Sequence, residues 1–148
     1  MLRQPKSAAA IFAIEDDPHQ MELLNLAILS LPADLPVIEA LDGLQALERL
    51  QSIPVTEFAA SILIVLLDLR LPKMHGLEVL ARAQSLGLTD QAPFIVLTSS
   101  DNTAERERAL ALGARDYQVK PLGFKSLQTM VHRLYERWIT QDDRNDWC

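Results

Sequence analysis

Cysteine is all but missing from this chain. Cys148 is the only one, so no disulfide framework can form and a cytoplasmic location fits. Positive charge is also in deficit. Lys and Arg number 14 against 20 Asp and Glu, a net charge of −6, whereas a nucleic-acid surface would be basic. The 5 glycines include no cluster able to cradle a nucleotide phosphate. No apolar run is long enough to span a membrane. Two N-terminal cations, Arg3 and Lys6, precede a short apolar run, but Glu15 to Asp17 cut that run off, which argues against a signal peptide. Repeats, low-complexity stretches and linkers are absent, and 148 residues suit one domain with a real core. Because the last predicted helix falls near residue 140, no DNA-binding output unit is expected after it. The expected division is an N-terminal extension over 1–8, one folded domain over 9–140 and a C-terminal tail over 141–148.

What is present begins with Asp68. It follows Ile62-Leu-Ile-Val-Leu-Leu67, which is apolar throughout, short and rich in branched residues. Such a run reads as a strand buried on both faces of a parallel sheet. A carboxylate where such a strand leaves the sheet is costly unless something uses it. Three more runs end on polar groups in the same way. Ala9 to Ile14 gives way to Glu15, Asp16 and Asp17; Phe94 to Leu97 runs into Thr98; Tyr117 to Val119 runs into Lys120 and Pro121. Helical stretches alternate with these runs, which predicts a doubly wound α/β sheet. Strand C-termini are where such sheets bind ligands, so Glu15, Asp16, Asp68, Thr98 and Lys120 are expected to converge on one edge.

Crowded carboxylates repel one another, and a hard cation such as Mg²⁺ relieves the repulsion while keeping room for phosphate oxygens. A carboxylate can also attack phosphorus to give an aspartyl phosphate. Transfer of this kind depends mostly on positioning and charge neutralisation. Mg²⁺, Lys120 and the Thr98 hydroxyl would each take one phosphoryl oxygen. Asp68, central and on the most apolar strand, is the best nucleophile. Asp17 reads as part of an acidic first turn, without a catalytic role. His19, His75 and His132 lack metal-ligand spacing and read as surface or capping residues.

The pieces Ile14-Glu-Asp-Asp17, Leu67-Asp-Leu-Arg-Leu-Pro-Lys-Met-His-Gly-Leu-Glu78, Val96-Leu-Thr-Ser99 and Gly113-Ala-Arg-Asp-Tyr-Gln-Val-Lys-Pro121 stand in the order of a known pattern. On them the chain resembles the receiver domain of the response-regulator family, the phosphoacceptor half of two-component signalling. The resemblance implies a flavodoxin-like sheet of five parallel strands in the order 2-1-3-4-5. It implies Asp68 as phosphoacceptor, with Asp16, Asp68 and the Arg70 backbone carbonyl as direct Mg²⁺ ligands and Glu15 acting through water. Thr98 and Tyr117 would form the switch pair, Lys120 would contact the phosphoryl group, and the Lys120–Pro121 bond would be cis. The phosphodonor would be a sensor histidine kinase. The output would be the surface of the helix after the fourth strand, the fifth strand and the last helix.

Departures from the pattern carry information of their own. His75 stands where the family has Asp or Asn, a change expected to affect a helix cap and not the chemistry. Arg70 puts a long cation near the site entrance. The segment Gln51 to Ser61 is longer than the usual link into the third strand. Together with an aromatic-rich last helix and a tail, it is similar to the small regulators that serve phytochrome-type histidine kinases. Two alternatives compete: a degenerate receiver that binds partners without phosphorylation, and a dehalogenase-type aspartyl phosphatase. The intact acidic set speaks against the first, and Arg70, where the second needs an Asp, against the other. Helix spacing places Phe124, Leu127, Val131, Leu134 and Trp138 against the sheet. Met130, Tyr135, Ile139 and Trp147 then lie off that line, which suggests a homodimer through the helix after the fourth strand, the fifth strand, the last helix and the tail.

Overall fold

The computed structural model describes residues 9–140. Its strands are β1 (Ala10–Ile14), β2 (Val37–Ala40), β3 (Ile62–Leu67), β4 (Phe94–Thr98) and β5 (Asp116–Val119). They form one parallel sheet in the order β2-β1-β3-β4-β5. The helices are α1 (Pro18–Leu29), α2 (Gly43–Gln51), α3 (Val55–Ser61), α4 (Gly76–Ser85), α5 (Thr103–Ala111) and α6 (Phe124–Leu134), the last continuing as a wider π turn over Tyr135–Thr140.

Side-chain alternation along each strand splits the core in two. Phe12, Ile14, Val65, Leu67, Phe94 and Val96 face the layer of α2, α3 and α4. Ile11, Ala13, Ile64, Leu66, Ile95 and Leu97 face α1 and α6. Burial on both faces is why β1, β3 and β4 read as continuous apolar runs.

Helix ends follow local chemistry. Pro18 opens α1, and the Asp17 carboxylate accepts from the His19 amide at 2.9 Å, so Asp17 is a cap. The first helix stops at Leu29, where Ser30 closes it by donating its hydroxyl to the Ala27 carbonyl at 2.6 Å. His75 does cap α4: its Nδ1 accepts from the Leu77 amide at 3.1 Å.

Three expectations need correction. The long link before β3 contains a helix of its own, α3, anchored by the fully buried Phe58 stacked on Phe94 at 6.2 Å between ring centroids. Only one residue of its roughly two turns is buried, so no apolar stripe marks it in the sequence. Met130 and Ile139 are not spare surface: both are buried in the core shared with α1, Tyr135 packs against that core, and Phe124 is exposed instead. Trp147 and the rest of the tail lie outside the described residues. The Lys120–Pro121 bond is trans, with no cis peptide among the described residues.

Candidate functional site

Register brings the site together. Ile14 and Val96 both pair with Leu67, so the residues beyond them leave the sheet side by side. The Asp68 amide donates to the Ile14 carbonyl at 3.1 Å, and the Lys120 amide to the Thr98 carbonyl at 2.7 Å. Glu15, Asp16, Asp68, Thr98 and Lys120 therefore stand on one edge, as the strand ends implied. Asp16 is exposed, whereas Glu15, Asp68 and Thr98 are buried.

Lys120 is the electrostatic centre. Its ammonium donates to Asp68 Oδ2 at 3.0 Å, to Gln20 Oε1 at 2.6 Å and to Glu15 Oε1. Burial alone would lower its pKa, but the hydrogen bond to Glu15 and the charge of Asp68 outweigh that, so it lies above the ordinary lysine value. Burial pushes the Glu15 carboxyl up, and the Lys120 and Asp17 hydrogen bonds offset only part of the rise. Gln20 is the partner that sequence reading missed, since a glutamine in a first helical turn carries no distinctive signal.

Carboxylate oxygens of Glu15, Asp16 and Asp68 lie within 4.8 Å of one another. An all-oxygen set with exposed Asp16 on its open side suits a hard cation that keeps part of its water shell, so these residues fit a divalent metal such as Mg²⁺. Close backbone packing holds Asp68 in place. A Cβ on Gly76 would come within 2.4 Å of the Asp68 carbonyl oxygen, so only glycine lets the loop fold back there. A cleft of about 320 Å³ opens beside the cluster, with Gln20, Leu24, Leu127 and Lys120 among its walls.

Arg70 and Tyr117 lie on the other side. The Arg70 amide donates to Asp68 Oδ1 at 3.1 Å, while its guanidinium turns away to Glu105 and Ser100. Glu105 and Ser100 are further residues that the sequence did not single out. Tyr117 is buried, its hydroxyl donates to the Ser100 carbonyl at 2.7 Å, and Arg106 lies over its ring at 5.2 Å.

The family model of the response regulator receiver domain matches residues 11–132. Among solved structures, the phosphorylated cyanobacterial phytochrome response regulator RcpA superposes with a TM-score of 0.79 at 28% identity, covering 89% of this chain and 94% of that one. The Mn²⁺-bound response regulator Rcp1 gives 0.75 at 31% identity, covering 88% and 94%. The transcriptional regulatory protein CpxR of Escherichia coli is 33% identical over 138 residues, 92% of this chain and 54% of CpxR. The chain spans about half or less of the length of the curated relatives it matches.

Proposed function

This chain belongs to the response regulator receiver family, and on that premise we propose that it accepts a phosphoryl group on Asp68 from a sensor histidine kinase. The observation that carries this reading is the Lys120 ammonium 3.0 Å from Asp68 Oδ2, beside carboxylates gathered within 4.8 Å. In the transfer, an Asp68 oxygen attacks phosphorus and the P–N bond to the donor imidazole breaks. The electron pair stays on the imidazole nitrogen, which takes up a proton. Asp16, Asp68, the Arg70 carbonyl and, through water, Glu15 would hold Mg²⁺, which when bound neutralises charge on the phosphoryl oxygens. Lys120 turns from Asp68 to a phosphoryl oxygen, and Thr98 donates its hydroxyl to another. Apart from assisting its own phosphorylation and dephosphorylation, the domain is a switch and not an enzyme with a turnover substrate.

Output follows from the inward shift of Thr98 and a change at Tyr117, altering the face of α5, β5 and α6 by a population shift. In this reading 9–140 is the receiver domain, flanked by 1–8 and 141–148, working in the cytoplasm without nucleic acid or membrane as partner. No helix among the described residues is long and apolar enough to cross a membrane. A phytochrome-type kinase as donor is supported by the likeness to RcpA. A homodimer now draws support from exposed Leu110, Val119, Leu122 and Phe124, and not from Met130 or Ile139; a monomer in sedimentation, with and without a phosphate mimic, would rule it out.

Labelling with a small phosphodonor tests the core of the proposal. Asp68→Asn should reduce hydroxylamine-sensitive phosphate to background, because an amide is a poor nucleophile and brings no charge to the metal. Undiminished labelling of that variant overturns the assignment.

A further inference from the structure

Arg70 reaches toward both halves of the site. Its main-chain N–H donates to Asp68 Oδ1 at 3.1 Å. Its guanidinium crosses to the β4–α5 side, where it lies 3.2 Å from Glu105 Oε2 and donates to Ser100 Oγ at 3.1 Å. Glu105 belongs to the first turn of α5, and its own amide is held by Asn102 Oδ1 at 3.0 Å. The Ser100 carbonyl accepts the Tyr117 hydroxyl. One side chain thus ties the phosphoacceptor loop to the loop and helix beside Tyr117.

Resting on Asp68 as the phosphoacceptor, we propose that Arg70 exchanges partners on phosphorylation. Its guanidinium leaves Glu105 for a phosphoryl oxygen, and the first turn of α5 is released. The pair with Glu105 is screened on one side only, the Arg70 side chain being 52% exposed and that of Glu105 17%, so giving it up has a modest cost that a stronger partner can offset. A phosphoryl group carries roughly −1.5 to −2 charges and three acceptor oxygens, a stronger partner for a guanidinium than one carboxylate. The side chain starts two residues from Asp68, from a main chain already bonded to that carboxylate. Lys120, the cation bonded to Asp68, is shared with Glu15 and Gln20 and hydrogen-bonds no residue of α5. Of α5 itself only Ala109 is buried, so polar contacts hold its first turn: the Asn102 cap, this pair and Arg106 over the Tyr117 ring. This coupling runs through charge and acts on the helix, whereas Thr98 and Tyr117 act through the sheet edge and a ring.

The test is calorimetric titration of the full chain, in saturating Mg²⁺, with beryllofluoride as the phosphoryl stand-in. Glu105→Gln removes a contact made only in the empty state, so it should bind about two- to fivefold tighter than the unaltered protein. Arg70→Ala removes the contact made in the loaded state and should bind about tenfold weaker; its backbone carbonyl stays. Opposite signs from the two halves of one ion pair are the signature, since a pair that merely braces two loops moves affinity in the same direction from either side. Amide exchange over residues 103–107 gives a second readout: in Glu105→Gln it should already be fast before loading. Shifts of the same sign, or an unmoved Glu105→Gln, overturn the exchange while leaving Asp68 in place. Failure of the unaltered protein to take up beryllofluoride overturns the reading of Asp68 as well.

Discussion

Helices α1 and α5 flank the same cluster of charges but are held in different ways. α1 buries Met21, Leu24, Ala27 and Ile28 against the sheet and α6, and its first turn supplies Gln20 to Lys120. α5 buries only Ala109; its first turn is held by the Asn102 cap, the Arg70–Glu105 pair and the Arg106–Tyr117 contact. The difference assigns them different work. A helix anchored by apolar burial keeps the acidic cluster in register, while one held by polar contacts at the surface can move at little cost. On the proposed function, the acidic groups that stay put are on the β1–α1 side, and the contacts that are exchanged reach the β4–α5 side.

Truncating one apolar side chain on each helix tests that contrast most strongly. Ile28 is buried at 2% exposure, so Ile28→Ala should cost about 2–5 kcal/mol through lost burial and the cavity left behind. Leu110 on α5 is 44% exposed, and Leu110→Ala should stay within about 0.5 kcal/mol. Denaturant midpoints at fixed Mg²⁺ measure both. A loss from Leu110→Ala comparable to that from Ile28→Ala would show that α5 is anchored as firmly as α1, and the division of labour would fail.

The same contrast explains what could be read from the sequence. Strand ends and the convergence of Glu15, Asp16, Asp68, Thr98 and Lys120 were legible because buried parallel strands leave unbroken apolar runs that stop at polar residues, whereas the strand order came only with the resemblance to the receiver family. The partners of those groups were not. Gln20, which meets Lys120, and Ser100 and Glu105, which meet Arg70, are exposed or half-buried polar residues, whose pairing only folding decides. Helix α3 escaped notice because it buries Phe58 alone. The inward line on α6 was misjudged for a geometric reason. The helix widens into a π turn at Tyr135, so Ile139 turns inward where a constant helical period placed it aside, while Met130, three residues after Leu127 and before the π turn, lies beside the inward line and widens it.

The smallest effect concerns the cap of α5. Asn102 Oδ1 accepts from the Glu105 amide at 3.0 Å, and the Asn102 carbonyl accepts from the Arg106 amide at 2.9 Å. Asn102→Ala removes the first bond and keeps the second, and loss of an N-cap side chain costs about 1 kcal/mol. Because α5 buries so little, that loss should fall on local opening of its first turn and only weakly on global unfolding. Hydrogen exchange resolved by residue checks this: the amides of Glu105 and Arg106 should exchange roughly fivefold faster, the factor that corresponds to about 1 kcal/mol, while those of Leu24 to Ile28 in α1 keep their protection. Equal acceleration in both helices would mean that the cap is tied to the global transition. In that case α5 could not respond to Asp68 independently of α1, and the two sides of the site would act as one body.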